Sequence, residues 1–213
     1  LDATDVANIE TGLQRVVGYN QIVKSKTDEL RASITPPTQQ RVGGYWYVDT
    51  PVLQTIFANG QTANDFKTNG VFDPSKWNSA TMGYSPGDID FTKLDYLLVS
   101  FPYFESNSTT QTVKVGYYDV NTQTVLANEH FETEMYKLLH DLIAQAGAST
   151  QVYASFGGYE LTCHPDDGCN KGHHLHILKA CESPAMRSAA VQALNNYANK
   201  HNLNGIDIDY EYP

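Results

Sequence analysis

Three carboxylates occupy alternate positions near the end of the sequence. Asp207, Asp209 and Glu211 stand in the run Gly-Ile-Asp-Ile-Asp-Tyr-Glu-Tyr-Pro. In a β-strand, alternate side chains point to the same face, so the three acids are predicted to share one side of a strand. Buried carboxylates close to one another raise each other's pKa, and one of them can then stay protonated as a general acid. The row therefore predicts acid–base chemistry, with Glu211 as the proton donor.

Two other interpretations of this strand remain open. The acids could form the solvated face of an edge strand, although the neighbouring strands read as buried on both faces. Asp-x-Asp-x-Glu could also supply oxygen ligands to a hard cation, but it lacks the glycine and the loop spacing of an EF-hand. We therefore predict no metal site at these residues.

The elements that must position the acids are strands alternating with helices. Apolar runs predict strands at 42–48, 96–101 and 152–156, and apolar residues at helical spacing predict a helix from Glu132 to Gly147. Ser183 as N-cap and Pro184 at the first helical position open a second helix. Its predicted apolar face consists of Met186, Ala190, Leu194 and Tyr197. Buried strands joined by helices predict an α/β fold with a parallel sheet.

The remaining segments are predicted from weaker signals. Residues 113–125 look like a hairpin around Asp119-Val120-Asn121-Thr122, and the polar stretch from about 49 to 88 is too long for an ordinary loop. Residues 1–40 read as a helical extension that ends in a linker at Pro36-Pro37. The chain begins Leu-Asp-Ala, without an initiator Met, which leads us to expect a processed or excised product.

Composition excludes two classes of partner. The formal net charge is −10, and basic residues do not cluster, so nucleic acid is not expected. The longest apolar run, near Tyr96 to Phe101, is too short to cross a membrane, so we expect no membrane partner.

At this point the motifs meet a known family. The run Gly205 to Pro213 resembles the Asp-Gly-x-Asp-x-Asp-x-Glu signature of glycoside hydrolase family 18, the chitinase family. Ser155 to Gly158, Ser-Phe-Gly-Gly, is similar to the Ser-x-Gly-Gly motif of its third barrel strand. The resemblance extends over about 42–213, with Asn204 in place of the first Asp of the signature. It implies a (β/α)8 TIM barrel, of which this chain carries about the first four strands.

The resemblance also implies a mechanism. Glu211 would be the general acid and base, Asp209 would orient the N-acetyl group of the substrate, and Asp207 would lie beneath it and share a proton. The acetamide oxygen of the substrate would be the nucleophile, in place of an enzyme carboxylate, and no cofactor is needed. The implied substrate is chitin, a β-1,4-linked polymer of N-acetylglucosamine, hydrolysed with retention at the anomeric carbon. The alternatives are an endo-β-N-acetylglucosaminidase acting on N-glycans and a non-hydrolytic, lectin-like chitin-binding member.

Aromatic residues at predicted strand ends are candidates for sugar contacts, because the C–H faces of sugars pack on aromatic rings. The resemblance favours Tyr45 on the first strand and Phe101 on the second, and Tyr212 follows the predicted acid. Gly157 and Gly158 would leave room for the substrate beside the acids, or would simply end the strand in a turn.

Cysteines and one sequence motif bear on location. Asn107-Ser108-Thr109 is an N-glycosylation sequon, which favours a secreted protein. In a secreted glycosidase, a disulfide loop that joins Cys163 to Cys169 or Cys181 is expected. Zinc is the alternative, because four histidines lie among these cysteines, but their spacing matches no common zinc motif. His173, His174 and His176 are expected at the surface.

The length predicts an incomplete barrel. A (β/α)8 barrel typically takes about 250 residues, and four strands would leave two open edges. We therefore expect the remainder of the barrel, from the same or an associated chain, as a partner.

Overall fold

The structure is a computed structural model, and it describes residues 41–48, 56–57, 60–119, 124–125, 130–158 and 179–209. The chain divides after Gln40 into two units, and every described residue belongs to the second, Arg41–Pro213. The predicted helical extension over residues 1–40 lies outside the described residues.

The elements follow one another as strands separated by helices and short turns. In chain order they are β1 (Gly43–Tyr47), β2 (Lys67–Thr68), β3 (Val71–Phe72), α1 (Ser79–Met82), β4 (Tyr96–Ser100), β5 (Tyr103–Asn107), β6 (Thr112–Gly116), β7 (Tyr118–Asp119), β8 (Thr124–Val125), α2 (His130–Gln145), β9 (Gln151–Gly157), α3 (Pro184–Lys200) and β10 (Gly205–Asp209). Turns of 3-10 helix lie at Ala63–Phe66, Pro74–Lys76, Pro86–Asp88 and Phe91–Lys93.

A four-stranded parallel sheet in the order β1-β4-β9-β10 is the centre of the described part. The predicted parallel α/β arrangement is therefore confirmed, and the four predicted strands are its members. The strand register brings Tyr47, Ser100, Ser155 and Asp207 to the same level across the sheet. Residues at such a level point to the same face, which is called the inner face below.

The opposite, outer face of the sheet is covered. Its side chains belong to one apolar core with the buried residues of α2 and α3. The strands contribute Trp46, Leu97, Val99, Val152, Ala154 and Phe156, and the helices contribute Phe131, Met135, Leu138, Leu139, Leu142, Ala190 and Tyr197. Branched and aromatic side chains on strands, against a helical stripe of spacing three and four, are the pattern that packs these layers together.

The helix ends follow the predicted signals. The Ser183 hydroxyl accepts a hydrogen bond from the Met186 N–H, and Pro184 is the first residue of α3. Gly147, with φ of 62°, ends α2, and the N–H of Ala148 donates to the carbonyl of Ile143. Leu194 is only partly buried, and Ala146 is exposed because α2 stops one residue before it.

The long polar stretch before β4 has its own apolar contacts. Phe66 lies at the centre, with ring centroids 5.6 Å from those of both Phe57 and Trp77. The Ala63 N–H donates to Glu134 of α2, and the Lys67 ammonium lies 2.5 Å from Asp141 of the same helix. Residues 60–77 are thus a layer fastened onto α2.

Two predictions hold only in part. The hairpin predicted over 113–125 is confirmed at its turn, where β7 pairs antiparallel with β8. Residues 112–116 pair with β5 instead, because Asn107 begins a turn that returns the chain onto Tyr103–Asn107. Strand alternation predicts that Ile206 and Ile208, opposite the acids on β10, both face the helices, and only one of them is covered. Ile206 packs against the core, whereas Ile208 is 47% exposed, because β10 is the outermost strand of the described sheet.

Candidate active site

The inner face of β10 carries the first two acids of the row. Asp207 and Asp209 are both partly buried and lie two residues apart on the strand. The main chain around Asp209 is fixed, since its carbonyl accepts a 2.9 Å hydrogen bond from the Gly158 N–H. Glu211 and Tyr212, the predicted acid and an expected sugar contact, lie outside the described residues.

Asp207 has a direct partner on the neighbouring strand. The Ser155 hydroxyl donates a 2.6 Å hydrogen bond to Oδ2 of Asp207. The two residues are register partners on β9 and β10, and the Ser155 side chain is fully buried. A hydroxyl that donates to a carboxylate oxygen fixes the orientation of the carboxylate.

Tyr45 on β1 lies on the same face of the sheet, and its hydroxyl is affected by the charges of the acids. Partial burial, together with the negative charges of Asp207 and Asp209, raises the pKa of the Tyr45 hydroxyl, and a hydrogen bond with Ser155 lowers it in part. The hydroxyl is therefore protonated at neutral pH. A protonated phenol beside two carboxylates can donate a hydrogen bond to an acid or to a bound substrate.

An open aromatic surface lies over the inner face. The Phe101 ring centroid is 6.3 Å from that of Tyr45 and 6.0 Å from that of Tyr47. Both tyrosines are 59% exposed, although they belong to a strand whose intervening residue, Trp46, is buried. Exposed rings of this kind offer apolar faces to a sugar while their hydroxyls remain available for hydrogen bonds.

The Phe101 ring packs against Gly158, the residue that follows β9. Gly158 has φ of +80°, and a Cβ at that position would lie 2.8 Å from a carbon of the Phe101 ring. Gly157 is the register partner of Asp209 and donates its N–H to the carbonyl of Pro102. The room that these glycines leave is thus occupied, at Gly158, by the aromatic ring. The Ser100–Phe101 peptide bond is cis.

The base of the carboxylate strand is anchored by the residue that departs from the family signature. The Asn204 side-chain oxygen accepts a 2.8 Å hydrogen bond from the Val152 N–H, and the Asn204 N–H donates to the Val152 carbonyl. The amide therefore provides the acceptor that a carboxylate would provide there, without its charge. This pairing sets the register in which Asp207 meets Ser155.

Two tyrosines form the floor below the acids. The rings of Tyr96 and Tyr153 meet edge to face at a centroid distance of 6.3 Å. A Cβ on Gly205 would lie 2.7 Å from the Tyr153 ring, and one on Gly43 would lie 2.1 Å from the Tyr96 ring. A side chain at position 205 would therefore displace the Tyr153 ring.

Sequence reasoning missed two residues of this face. Ser155 was part of the recognised Ser-Phe-Gly-Gly run but was not given a role, and Tyr47 was read only as part of a strand. The signal for Tyr47 was available, because it is two residues from Tyr45 and therefore on the same face. The role of Ser155 depends on the pairing of β9 with β10, which the sequence does not state.

Other predicted features give fewer observations. Cys181 is exposed and free, whereas Cys163 and Cys169 lie outside the described residues, as do the three histidines near them. Among the residues that the structure describes, there is no group of three His, Cys, Asp or Glu that could hold a metal ion. In the same residues, no helix has both the length and the apolarity that a bilayer crossing requires.

Comparison with solved structures finds chitinases among the similar chains, with TM-scores below 0.5. No family model and no curated protein sequence matches the chain. A class V chitinase from Nicotiana tobaccum in complex with NAG4 has a TM-score of 0.46 and 14% identity, over 82% of this chain and 34% of that one. A group IV chitinase from Ostrinia furnacalis in complex with allosamidin has a TM-score of 0.46 and 16% identity, over 82% of this chain and 34% of that one. A chitinase from Bacillus thuringiensis has a TM-score of 0.47 and 14% identity, over 83% of this chain and 28% of that one. The chain thus spans about a third of the length of these chitinases.

Proposed function

We propose that this chain carries the acid-bearing half of a retaining glycoside hydrolase that acts on β-1,4-linked N-acetylglucosamine polymers. The observation that carries the proposal is the 2.6 Å hydrogen bond from Ser155 to Asp207, on the face of the sheet that also bears Tyr45. These groups lie on the open inner face, beside exposed aromatic rings, where a sugar chain has access.

The first step would cleave the glycosidic bond. Glu211 donates its proton to the glycosidic oxygen, and the bond from that oxygen to the anomeric carbon breaks. The carbonyl oxygen of the substrate's own acetamide attacks the same carbon and forms an oxazolinium ion. Asp209 accepts a hydrogen bond from the acetamide N–H, which holds the group in position and stabilises its positive charge.

The second step would reverse this order. The Glu211 carboxylate takes a proton from a water molecule, and the water oxygen bonds to the anomeric carbon as the acetamide oxygen leaves. Two inversions at one carbon give net retention. Glu211 ends the cycle protonated and ready for the next substrate.

The supporting residues have separate tasks in this scheme. Ser155 orients Asp207, so that Asp207 presents a fixed negative charge beneath Asp209. Tyr45, protonated at neutral pH, lies on the same face two residues before the level of Asp207, and its hydroxyl donates a hydrogen bond to the substrate. Tyr47 and Phe101 form the apolar wall against which the sugar ring packs.

The proposal includes a partner for the sheet. Among the described strands, β1 and β10 each pair with a single neighbour, so each presents a strand edge. A cleft of about 320 Å³ runs beside β1, lined by residues that include Tyr45, Tyr47, Met82 and Tyr84. We propose that the remainder of a barrel, from the same or another chain, pairs at these edges and completes the substrate groove.

The test is hydrolysis of a chitin oligosaccharide by the chain, followed by mass spectrometry. Glu211→Gln removes the proposed proton donor with little change in shape. Glu182→Gln is the matched control, since Glu182 is exposed and its carboxylate accepts a hydrogen bond from Ser108 of the β5–β6 hairpin. Shorter oligosaccharides should appear with the wild type and the control, and should be absent with Glu211→Gln.

The other outcomes are equally specific. Hydrolysis that survives in Glu211→Gln would show that another residue is the acid. Oligosaccharide binding without cleavage in all three proteins would favour the non-hydrolytic, chitin-binding alternative. Cleavage of N-glycans in preference to chitin oligosaccharides would favour the endo-β-N-acetylglucosaminidase alternative.

A further inference from the structure

The hairpin of β5 and β6 carries a sequence motif that the proposed hydrolase does not use. Asn107-Ser108-Thr109 is the only Asn-x-Ser/Thr run in the sequence. Asn107 is the last residue of β5, and its register partner Thr112 opens β6, so residues 108–111 form the tip of the hairpin. All of residues 107–111 are exposed. The motif thus lies at a projecting turn.

The hydrogen bonds at the tip involve one end of the Asn107 amide. Its Oδ1 accepts from the N–H groups of Thr109 and Thr110, at 3.0 and 3.1 Å. In the described part of the chain, no hydrogen bond involves its Nδ2. An oligosaccharide on this nitrogen would leave the bonds of the turn intact, because the nitrogen keeps one hydrogen and the oxygen keeps its lone pairs.

Thr109 and Thr110, at the tip of the hairpin, differ in the hydrogen bonds of their hydroxyls. The Thr110 hydroxyl is paired with that of Thr112 at 2.8 Å, whereas no hydrogen bond of the Thr109 hydroxyl occurs within the described residues. The Ser108 hydroxyl donates to Glu182 at 2.9 Å, which fastens the tip to the segment before α3. Thr109, the third residue of the sequon, is therefore the threonine whose hydroxyl forms no hydrogen bond within the described residues.

We propose that Asn107 is an N-glycosylation site of this protein. The donor would be a lipid-linked oligosaccharide diphosphate. Asn107 Nδ2 bonds to the anomeric carbon of the first sugar, the bond from that carbon to the diphosphate oxygen breaks, and the lipid diphosphate leaves with the electron pair. Nδ2 gives up one proton to a base of the transferase. The proposal is independent of the hydrolase activity and requires passage through the secretory pathway.

The fold accepts such a group without rearrangement. Attachment occurs on the nascent chain, so the modified side chain has to stay outside the core when the protein folds. Asn107 meets that condition at an exposed tip, and the β5–β6 hairpin reaches the core through other residues, including Val113 and Val115. A hydrated oligosaccharide would then cover the tip of the hairpin beside Glu182.

The experiment uses residues 1–213 behind a secretion leader, expressed in a eukaryotic host and collected from the medium. Peptides are analysed by mass spectrometry before and after peptide N-glycosidase, which converts a glycosylated Asn into Asp. The wild type should carry an oligosaccharide on Asn107. Thr109→Ala should abolish it, and Thr110→Ala, one residue further along the same turn, should retain it.

A further variant is the control for a protein in which Asn107 carries no glycan. Ala80→Thr completes a sequon at Asn78, which is also exposed and also accepts a hydrogen bond from a backbone N–H two residues on, at 3.1 Å. A glycan on Asn78 of this variant with none on Asn107 would overturn the proposal. So would an unmodified Asn107 in the wild-type protein from the medium, or a glycan that survives in Thr109→Ala.

Discussion

The two faces of the parallel sheet place the same residue types in opposite conditions. Behind the sheet, Glu132 lies among Tyr117, Tyr136 and Tyr197, all of them fully or almost fully buried. In front of the sheet, Asp207 and Asp209 lie near Tyr45, which is 59% exposed. On the covered face, a carboxylate near tyrosines is part of the packed structure. On the open face, the same residue types are candidates for catalysis. Access to solvent and substrate separates the two roles.

The partners behind the sheet are internal. One oxygen of Glu132 accepts a 2.8 Å hydrogen bond from the Tyr117 N–H, and the other lies 3.4 Å from Nε2 of His201. His201 follows α3, and its carbonyl contacts the His140 ring at 3.1 Å. These contacts join α2, α3 and the segment before β10. Buried polar groups that contact one another in this way fix helices in one arrangement. Within the described residues, the Tyr117 hydroxyl and Nδ1 of His201 are buried without a hydrogen-bond partner.

The largest effect should come from breaking the covered face. Phe156 is fully buried on β9, with its ring 5.4 Å from that of Tyr197. Phe156→Ala removes that packing and leaves a cavity, so the free energy of unfolding should fall by about 3–5 kcal/mol.

Tyr47→Ala is the control for that variant, because it removes an aromatic ring of similar size from the open face. It should change the free energy of unfolding by about 0.5 kcal/mol or less. Urea denaturation measures both. Equal losses in the two variants would contradict the distinction between the faces.

A smaller effect is expected where the open face depends on a glycine. Gly158→Ala forces a side chain into a left-handed backbone conformation and against the Phe101 ring, so it should cost about 2 kcal/mol and weaken oligosaccharide binding. Gly44→Ala is the matched control, since the nearest side-chain atoms there are 3.8 Å away. Denaturation curves and binding isotherms should show lower stability and weaker binding for Gly158→Ala than for Gly44→Ala. Similar curves for the two variants would contradict the claim that the contact of Gly158 with Phe101 supports the open face.

The covered tyrosines predict how stability depends on alkaline pH. Burial raises the pKa of Tyr117, Tyr136 and Tyr197 above the ordinary value, and the nearby charge of Glu132 raises it further. A raised pKa in the folded state means that the folded protein holds these protons more tightly. Their contribution is therefore complete below about pH 10, where unfolded tyrosine is protonated, and is lost as the pH rises through the raised values.

Urea midpoints measured from about pH 8 to 11 should fall steeply at the alkaline end. Tyr136→Phe removes one of the three groups and should flatten the decline. Tyr45→Phe on the open face should alter it less, because that hydroxyl is largely in contact with solvent. An identical pH profile in Tyr136→Phe and the wild type would contradict this account.

The smallest effect concerns the base of the carboxylate strand. Asn204→Ala removes the acceptor for the Val152 N–H and should cost about 1 kcal/mol in the free energy of unfolding. Asn204→Asp keeps a hydrogen-bond acceptor and introduces the residue found in the chitinase-family signature that this run resembles. Its free energy of unfolding should therefore fall by less than that of Asn204→Ala. A thermal unfolding series of the three proteins tests the order, and a loss in Asn204→Asp as large as that in Asn204→Ala would contradict it.

The sequence predicted the parts of the fold that depend on local patterns. Apolar runs identified β4 and β9, helical spacing identified α2, and Ser183 with Pro184 located the start of α3. It could not predict that 112–116 pairs backward with β5, because that choice depends on the turn at Asn107 and on packing against α3. Hydrogen bonds between strands, such as that from Ser155 to Asp207, depend on register, which local patterns do not give.

The exposure of Ile208 shows the same limit. Its apolar side chain predicted burial, yet burial depends on what lies beside β10, and the strand is outermost in the described sheet. For the site, alternation was sufficient to place Asp207 and Asp209 on one face, and it could have placed Tyr47 beside Tyr45. The contact between Phe101 and Gly158 arises only in three dimensions.

The most direct test of the account compares two adjacent residues on opposite faces of one strand. Initial rates of chitin-oligosaccharide hydrolysis are measured for the wild type, Asp209→Asn and Ile208→Val, with a thermal unfolding curve for each. The account predicts a loss of about 100-fold in kcat for Asp209→Asn with little change in stability, and a rate close to wild type for Ile208→Val. A wild-type rate in Asp209→Asn, or a wild-type chain that binds the oligosaccharide and never cleaves it, would contradict the claim that the inner face performs the chemistry.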